Sequence, residues 1–175
     1  MVRVLLMIPQ RNFNEVEYSV TKKCLDQEGI ETTTVTILKD KCIGMDGMIV
    51  EPEKTVMEIS EADYDCLIII GGSGTPKLLE YPEVLETVKR FNNEKKLIGA
   101  ICLAPIVLAK AGVLLNTMVT VYPVDWAIAT IIREGGHYIE QDVVEDGNII
   151  TAKGPKAAEK FAQTIIKRFK TKIRK

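Results

Sequence analysis

Two rhythms of hydrophobic positions alternate along the chain. Short, continuous apolar runs at 2–8, 66–70, Leu97–Ile101 and Ile149–Ala152 have the character of strands buried on both faces. The β-branched stretch 32–38 and the segments 118–121 and 138–144 also read as strands. Between them lie segments of helical spacing: 15–28, Pro82–Asn93, 104–111, 124–134 and 155–170. Gly29 and Gly112 stand where a helix ends in a left-handed residue, and Gly147-Asn148 forms a turn into the strand Ile149–Ala152. Apolar strands alternating with helices of this length predict βαβ units. The expected fold is α/β: a three-layer, flavodoxin-like sandwich, with a mostly parallel central sheet covered by helices on both faces.

Such sheets place their sites at the carboxyl ends of strands. Three places qualify: the loop after the first strand, Gly71-Gly72, and the turn at Cys102. In Gly99-Ala-Ile-Cys102-Leu-Ala-Pro105 an apolar strand runs into a helix with a cysteine at the junction, the setting of a nucleophile elbow. A thiol there meets unpaired N–H groups of a helix start, which favour the thiolate. The competing reading is a small buried cysteine that packs like alanine. The glycines of Gly71-Gly72-Ser73-Gly74 let backbone N–H groups approach a ligand oxygen, or form only a tight connection; no complete nucleotide-binding glycine pattern accompanies them. Glu15 and Glu17 open the first predicted helix, where acids complement the helix dipole; alternatively, one turns inward to Cys102. His137, in a Gly135-Gly136-His137 turn, reads as turn filler rather than as a base for the thiol.

Composition narrows the possibilities further. The 175 residues fall within the size of one domain, residues 1–175, and 46% hydrophobic with 27% charged residues excludes a disordered chain. A net charge of −1 gives no general attraction to nucleic acid or anionic lipid, so neither is an expected partner. Six basic residues near the C-terminus (Lys167, Arg168, Lys170, Lys172, Arg174, Lys175) read as a solvated helix end. The apolar stretch 4–8 ends at Pro9, too short for a signal-peptide core, and the stretch 97–109 is too short to cross a bilayer. With four cysteines lacking any CxxC spacing, the expectation is a cytoplasmic protein with reduced thiols. A single histidine excludes a multi-histidine metal site, and no cofactor is expected.

Four motifs in this order resemble the ThiJ/PfpI superfamily, nearest its Parkinson-disease deglycase (DJ-one) branch. They are Phe13-Asn-Glu-Val-Glu17, Tyr64-Asp65 through Gly71-Gly72, Ala100-Ile-Cys102-Leu-Ala-Pro105, and Gly135-Gly136-His137-Tyr138 followed by the segment 144–155. The resemblance implies a homodimer or higher homo-oligomer. It also implies a Cys102 poised beside a protonated Glu17 and readily oxidised to the sulfinate, and an anion site built from the backbone N–H groups of Gly72 and Leu103. The activities implied are glyoxalase or deglycase action on small 2-oxoaldehydes, redox sensing through Cys102, and peptidase action in one branch. The expected partner is accordingly a small carbonyl substrate or an oxidant. Three departures from the family pattern stand out. Leu103 occupies the place of the peptidase branch's dyad histidine, which disfavours proteolysis. Tyr122 precedes Pro123 where the deglycase branch carries a histidine, making Tyr122 a possible neighbour of the thiol. Ile70 stands where a proline is common.

Overall fold

The computed structural model describes residues 1–173; Arg174 and Lys175 of the basic C-terminal stretch lie outside the described residues. In chain order the elements are β1 (Arg3–Met7), β2 (Arg11–Phe13), α1 (Glu15–Gln27), β3 (Glu31–Thr36), β4 (Cys42–Gly44), β5 (Ile49–Val50), β6 (Lys54–Thr55), β7 (Cys66–Ile69) and α2 (Thr75–Leu78). They continue with α3 (Pro82–Asn93), β8 (Leu97–Ile101), α4 (Pro105–Lys110), β9 (Met118–Val119), α5 (Asp125–Arg133), β10 (His137–Tyr138), β11 (Val143–Asp146), β12 (Ile149–Ala152) and α6 (Ala158–Ile173).

A seven-stranded sheet in the order β11-β12-β8-β7-β1-β3-β6 forms the centre. All its pairings are parallel except β11 with β12, which the Gly147-Asn148 turn folds into a hairpin. Period-two alternation sends successive side chains of β1 to opposite faces. Val4, Leu6 and Ile8 join Leu25, Phe161 and Ile165 under α1 and α6. Leu5 and Met7 join Val88, Phe91 and Leu108 under α3 and α4. This produces the three layers expected from the apolar runs. At Gly99 the sheet and α6 approach so closely that a Cβ would lie 2.9 Å from Phe161 Cζ.

The segment 138–144 is not one strand. His137–Tyr138 pairs with β9 in a separate two-stranded sheet, and Val143–Asp146 joins the main sheet as its antiparallel edge. The stretch 118–121 is likewise strand only over Met118–Val119. A third sheet, β2-β4-β5, was not visible as apolar periodicity because its strands have two or three residues each. It matters for the site because it braces the start of α1: Asp46 N–H and Met48 N–H both donate to Glu15 Oε1, at 3.0 and 2.6 Å. None of the helices among the described residues is long and apolar enough to cross a membrane.

Candidate active site

Cys102 follows the last residue of β8 in a backbone conformation that L-residues rarely adopt, with φ of 62°. Such strain persists only when the surroundings enforce it. Here Cys102 N–H donates to Ala152 O on β12 (2.9 Å), and Cys102 O accepts Tyr122 N–H (2.7 Å). Helix α4 begins only at Pro105, one residue later than the sequence suggested, and has just six residues. Cys102 is therefore three residues ahead of a short helix, and its side chain is almost wholly buried.

Glu17 reaches the same place from α1. Asn14 caps that helix, its side-chain oxygen accepting Glu17 N–H at 3.0 Å. A glutamate three residues after such a cap ordinarily reaches back to the cap's own N–H. Here Asn14 N–H instead donates to Gly71 O (2.9 Å), which leaves the Glu17 carboxyl to cross to β7. Glu17 Oε2 accepts Gly71 N–H at 2.9 Å. Oε1 has no partner of hydrogen-bond geometry in this state, and the Cys102 thiol is the remaining polar group that acts on the carboxyl. Of the two acids that open α1, Glu15 thus holds a hairpin and Glu17 is fully buried at the thiol.

Burial sets the electrostatics. Desolvation holds the Glu17 carboxyl up from 4.5 to about 7, against the opposing pull of the Gly71 N–H and the Cys102 thiol. Cys102 is pushed up from 9.0 to about 12, first by desolvation and then by the charge and hydrogen bonding of Glu17. The N–H groups of Gly72 and Leu103 pull it back down in part. The expectation that a helix start alone would favour the thiolate is thus reversed, because burial and the neighbouring carboxylate outweigh two N–H donors. The two acids behave as one unit holding a single negative charge above about pH 7. Moving the proton from sulfur to Glu17 within that unit yields the thiolate without a second buried charge.

The remaining sequence candidates divide clearly. Gly72 (φ 122°) and Leu103 both present N–H groups to the sulfur. Tyr122 shares the cleft above Cys102, half exposed, with its ring against Gly154. His137 does not line that cleft; it sits exposed on β10. The cleft has a volume of about 710 Å³ and is lined by Leu103, Tyr122, Pro123, Pro155 and Ala157 together with Asn14, Met45 and Ser73. Lys153, Lys156 and Asp142 are its only charged residues among the described ones. No group of three or more metal-ligating side chains occurs among the described residues.

Sequence reasoning passed over Asn14 as a site residue and took Gly71 only as one of the loop glycines whose N–H groups can approach a ligand oxygen. The cap-and-glutamate spacing Asn14-x-x-Glu17 was the available signal for the first. For the second, the glycine loop marked the backbone N–H, which the structure aims at Glu17 Oε2, but not the steric role. A methyl group on Gly71 would lie 2.6 Å from both Cys102 Cβ and Ile101 O and 2.9 Å from Glu17 Oε2. Gly71→Ala is therefore expected to separate Glu17 from Cys102, to relieve the thiol of the carboxylate that pushes it up, and so to speed alkylation of Cys102 by iodoacetamide at pH 8 by roughly tenfold, read by mass spectrometry. That is the effect of losing about 1.4 kcal/mol of pair interaction. An unchanged rate overturns the steric role.

A family model described as the DJ-1/PfpI family matches residues 2–168. An uncharacterised protein of Methanocaldococcus jannaschii is 36% identical over 166 residues, covering 94% of this chain and 81% of that protein. A Caenorhabditis elegans protein named glutathione-independent glyoxalase is 30% identical, covering 93% of this chain and 86% of the relative. A deglycase of Pyrococcus abyssi is 27% identical, over 88% and 91% of the two chains. Among solved structures, Drosophila melanogaster DJ-1beta superposes with a TM-score of 0.85 at 27% identity, covering 94% of this chain and 89% of that one. A ThiJ/PfpI domain protein of Brachyspira murdochii shares the fold with a TM-score of 0.92 at 22% identity, over 97% and 96% of the chains.

Proposed function

The chain belongs to the DJ-1/PfpI family, and from that premise we propose that it converts small 2-oxoaldehydes to 2-hydroxy acids by glyoxalase-type chemistry at Cys102. The observation that carries this reading is the buried Glu17–Cys102 pair, with its carboxyl held near pH 7. A proton shuttle works best when its pKa lies near the working pH.

With methylglyoxal the steps balance as follows. Glu17 takes the thiol proton, and the thiolate adds to the aldehyde carbon; the aldehyde C=O electrons move to oxygen. The N–H groups of Gly72 and Leu103 stabilise that oxyanion. Glu17 returns its proton to give a hemithioacetal, then removes the C–H proton of the former aldehyde carbon. The resulting enediolate is protonated on the neighbouring carbon, the former ketone, by the same carboxyl, while the proton of the hemithioacetal hydroxyl passes to the former ketone oxygen and leaves a thioester carbonyl. One carbon is thereby oxidised and its neighbour reduced, with no external electron carrier. Water hydrolyses the lactate thioester and restores the thiol. Leu103 supplies no base at the position of the peptidase dyad histidine, so proteolysis has no support at this site.

The test is lactate formation from methylglyoxal at pH 7.5 with no added thiol. Many turnovers per protein support the reading, and methylglyoxal consumed without lactate overturns it. In that event the same Gly72 and Leu103 donors favour a second reading, redox sensing by a sulfinate at Cys102. Mild peroxide then adds two oxygens at Cys102 while Cys42 and Cys66, both fully buried, stay reduced. Oxidation spread over all four cysteines overturns this second reading.

A further inference from the structure

The cleft above Cys102 is far larger than methylglyoxal needs. Its volume of about 710 Å³ lies in the range that accommodates ligands several times the size of a five-heavy-atom oxoaldehyde. Its walls are mostly apolar or aromatic, and its charge is concentrated on one segment. Lys153 directly follows β12, whose last residue, Ala152, pairs with Ile101 and accepts Cys102 N–H, and it lines the cleft from that strand end. Lys156 follows in the short turn at Pro155–Ala157 and lines the same cleft.

Neither lysine is firmly engaged. Lys156 forms no ion pair among the described residues, and Lys153 has only Glu140, at 3.8 Å with 77% of that side chain exposed. A pair so open to solvent is worth little. Asp142 is the cleft's single acid, and its backbone oxygen accepts Lys153 N–H at 2.9 Å. Two lysines against one aspartate leave the lining with one excess positive charge. The groups that act on the Cys102 thiol are Glu17 and the Gly72 and Leu103 N–H donors, not these lysines. The sulfur's ionisation is thus governed by other groups, and the positive charge is free to meet a second, anionic group of a bound molecule.

We propose that Lys153 and Lys156 form an anion subsite, and that the cleft selects 2-oxoaldehydes carrying a carboxylate or phosphate several atoms away from the reacting carbonyl. The substrate class rests on the glyoxalase reading of Cys102; the subsite itself does not. Tyr122 and Pro123 supply the apolar wall against which the middle of such a molecule lies.

Phenylglyoxal and 4-carboxyphenylglyoxal differ only in the remote carboxylate. The wild-type protein is expected to favour the carboxylated compound by roughly tenfold in kcat/KM, the effect of two partly exposed charge contacts. The preference falls toward one in Lys153→Met/Lys156→Met and shrinks in 0.5 M NaCl. Equal kcat/KM values in the wild type, with both compounds turned over, overturn the subsite and leave the glyoxalase reading standing. If neither compound is turned over, it is the glyoxalase reading that fails. The subsite is then decided by thiol exchange at Cys102 in a Cys24→Ser background. Dithiobis(nitrobenzoate) is the anionic reagent and dithiodipyridine the neutral one. An anionic-to-neutral rate ratio that drops several-fold in the double lysine variant supports the subsite, and an unchanged ratio overturns it. A phosphate-bearing competitor, glycerol 3-phosphate, tests the second anion. Inhibition lost in the lysine variant extends the subsite to phosphate, and lysine-independent or absent inhibition restricts it to carboxylates.

Discussion

Cys102→Ser is expected to reduce lactate formation from methylglyoxal to the rate measured without protein. A hydroxyl is a far weaker acid than a thiol, and a carboxyl held at about 7 cannot ionise it. The Gly72 and Leu103 donors remain, but they would face a neutral oxygen with no nucleophilic form available. The substitution removes little volume from a site that already supplies two N–H donors, so the fold should survive. Thermal unfolding within a few degrees of wild type would show that activity was lost at the sulfur and not through collapse of the fold. Substantial lactate formation by a folded Cys102→Ser protein would falsify the covalent route.

Glu17→Gln tests the other half of the pair in two independent ways. Glutamine keeps the size and accepts the Gly71 N–H, but cannot carry a proton between sulfur and carbon. Turnover is expected to drop by about 10²–10⁴-fold, the usual contribution of a positioned acid–base group. The second readout is stability against pH. In the folded protein the carboxyl keeps its proton up to about 7, whereas in the unfolded chain it releases it near 4.5. Between those values the folded state binds the extra proton, so stability falls as pH rises across this window. At 1.36 kcal/mol per unit of pH, the loss from this one group is about 3 kcal/mol by pH 8. Glu17→Gln has no such slope, so relative to wild type it gains stability from pH 4 to pH 8. Urea unfolding at the two pH values measures the difference. Parallel stability profiles for the two proteins would mean that Glu17 titrates normally in the folded state.

The parts of the fold legible in the sequence were those whose burial repeats over many residues. The runs that became β1, β7, β8 and β12 are almost wholly apolar, Arg3 at the exposed start of β1 and Thr151 in β12 excepted, because both faces of each are covered. Helix α3 has the predicted bounds because Pro82 starts it and its buried stripe (Val84, Thr87, Val88, Phe91) follows helical spacing. Strands β2, β4, β5 and β6 were not legible, since two or three residues are too few to show a period. The break within 138–144 escaped for another reason: two adjacent short strands in different sheets resemble one longer strand. At the site, the strand-to-helix junction marked Cys102, while Glu17, Gly72 and Leu103 were singled out by the family resemblance, and the structure brings all four together. The upward displacement of the thiol could not be foreseen. It depends on how completely two side chains from distant segments are shut away from water, and on a carboxylate being among them.

The hydrogen bond from Cys102 N–H to Ala152 O also has a temporal meaning. Glu17 meets Gly71 across 54 residues of sequence, and Cys102 is locked only once β12 has been added at its side. Contacts of such long range form late, after the loop between them has closed. During synthesis from the N-terminus, Cys102 is made 50 residues before Ala152. Until then it is an ordinary flexible cysteine, with neither a proton acceptor nor an oxyanion site. The Glu17–Cys102 pair is completed only with the sheet, so the chemistry proposed for it is available only to the folded protein.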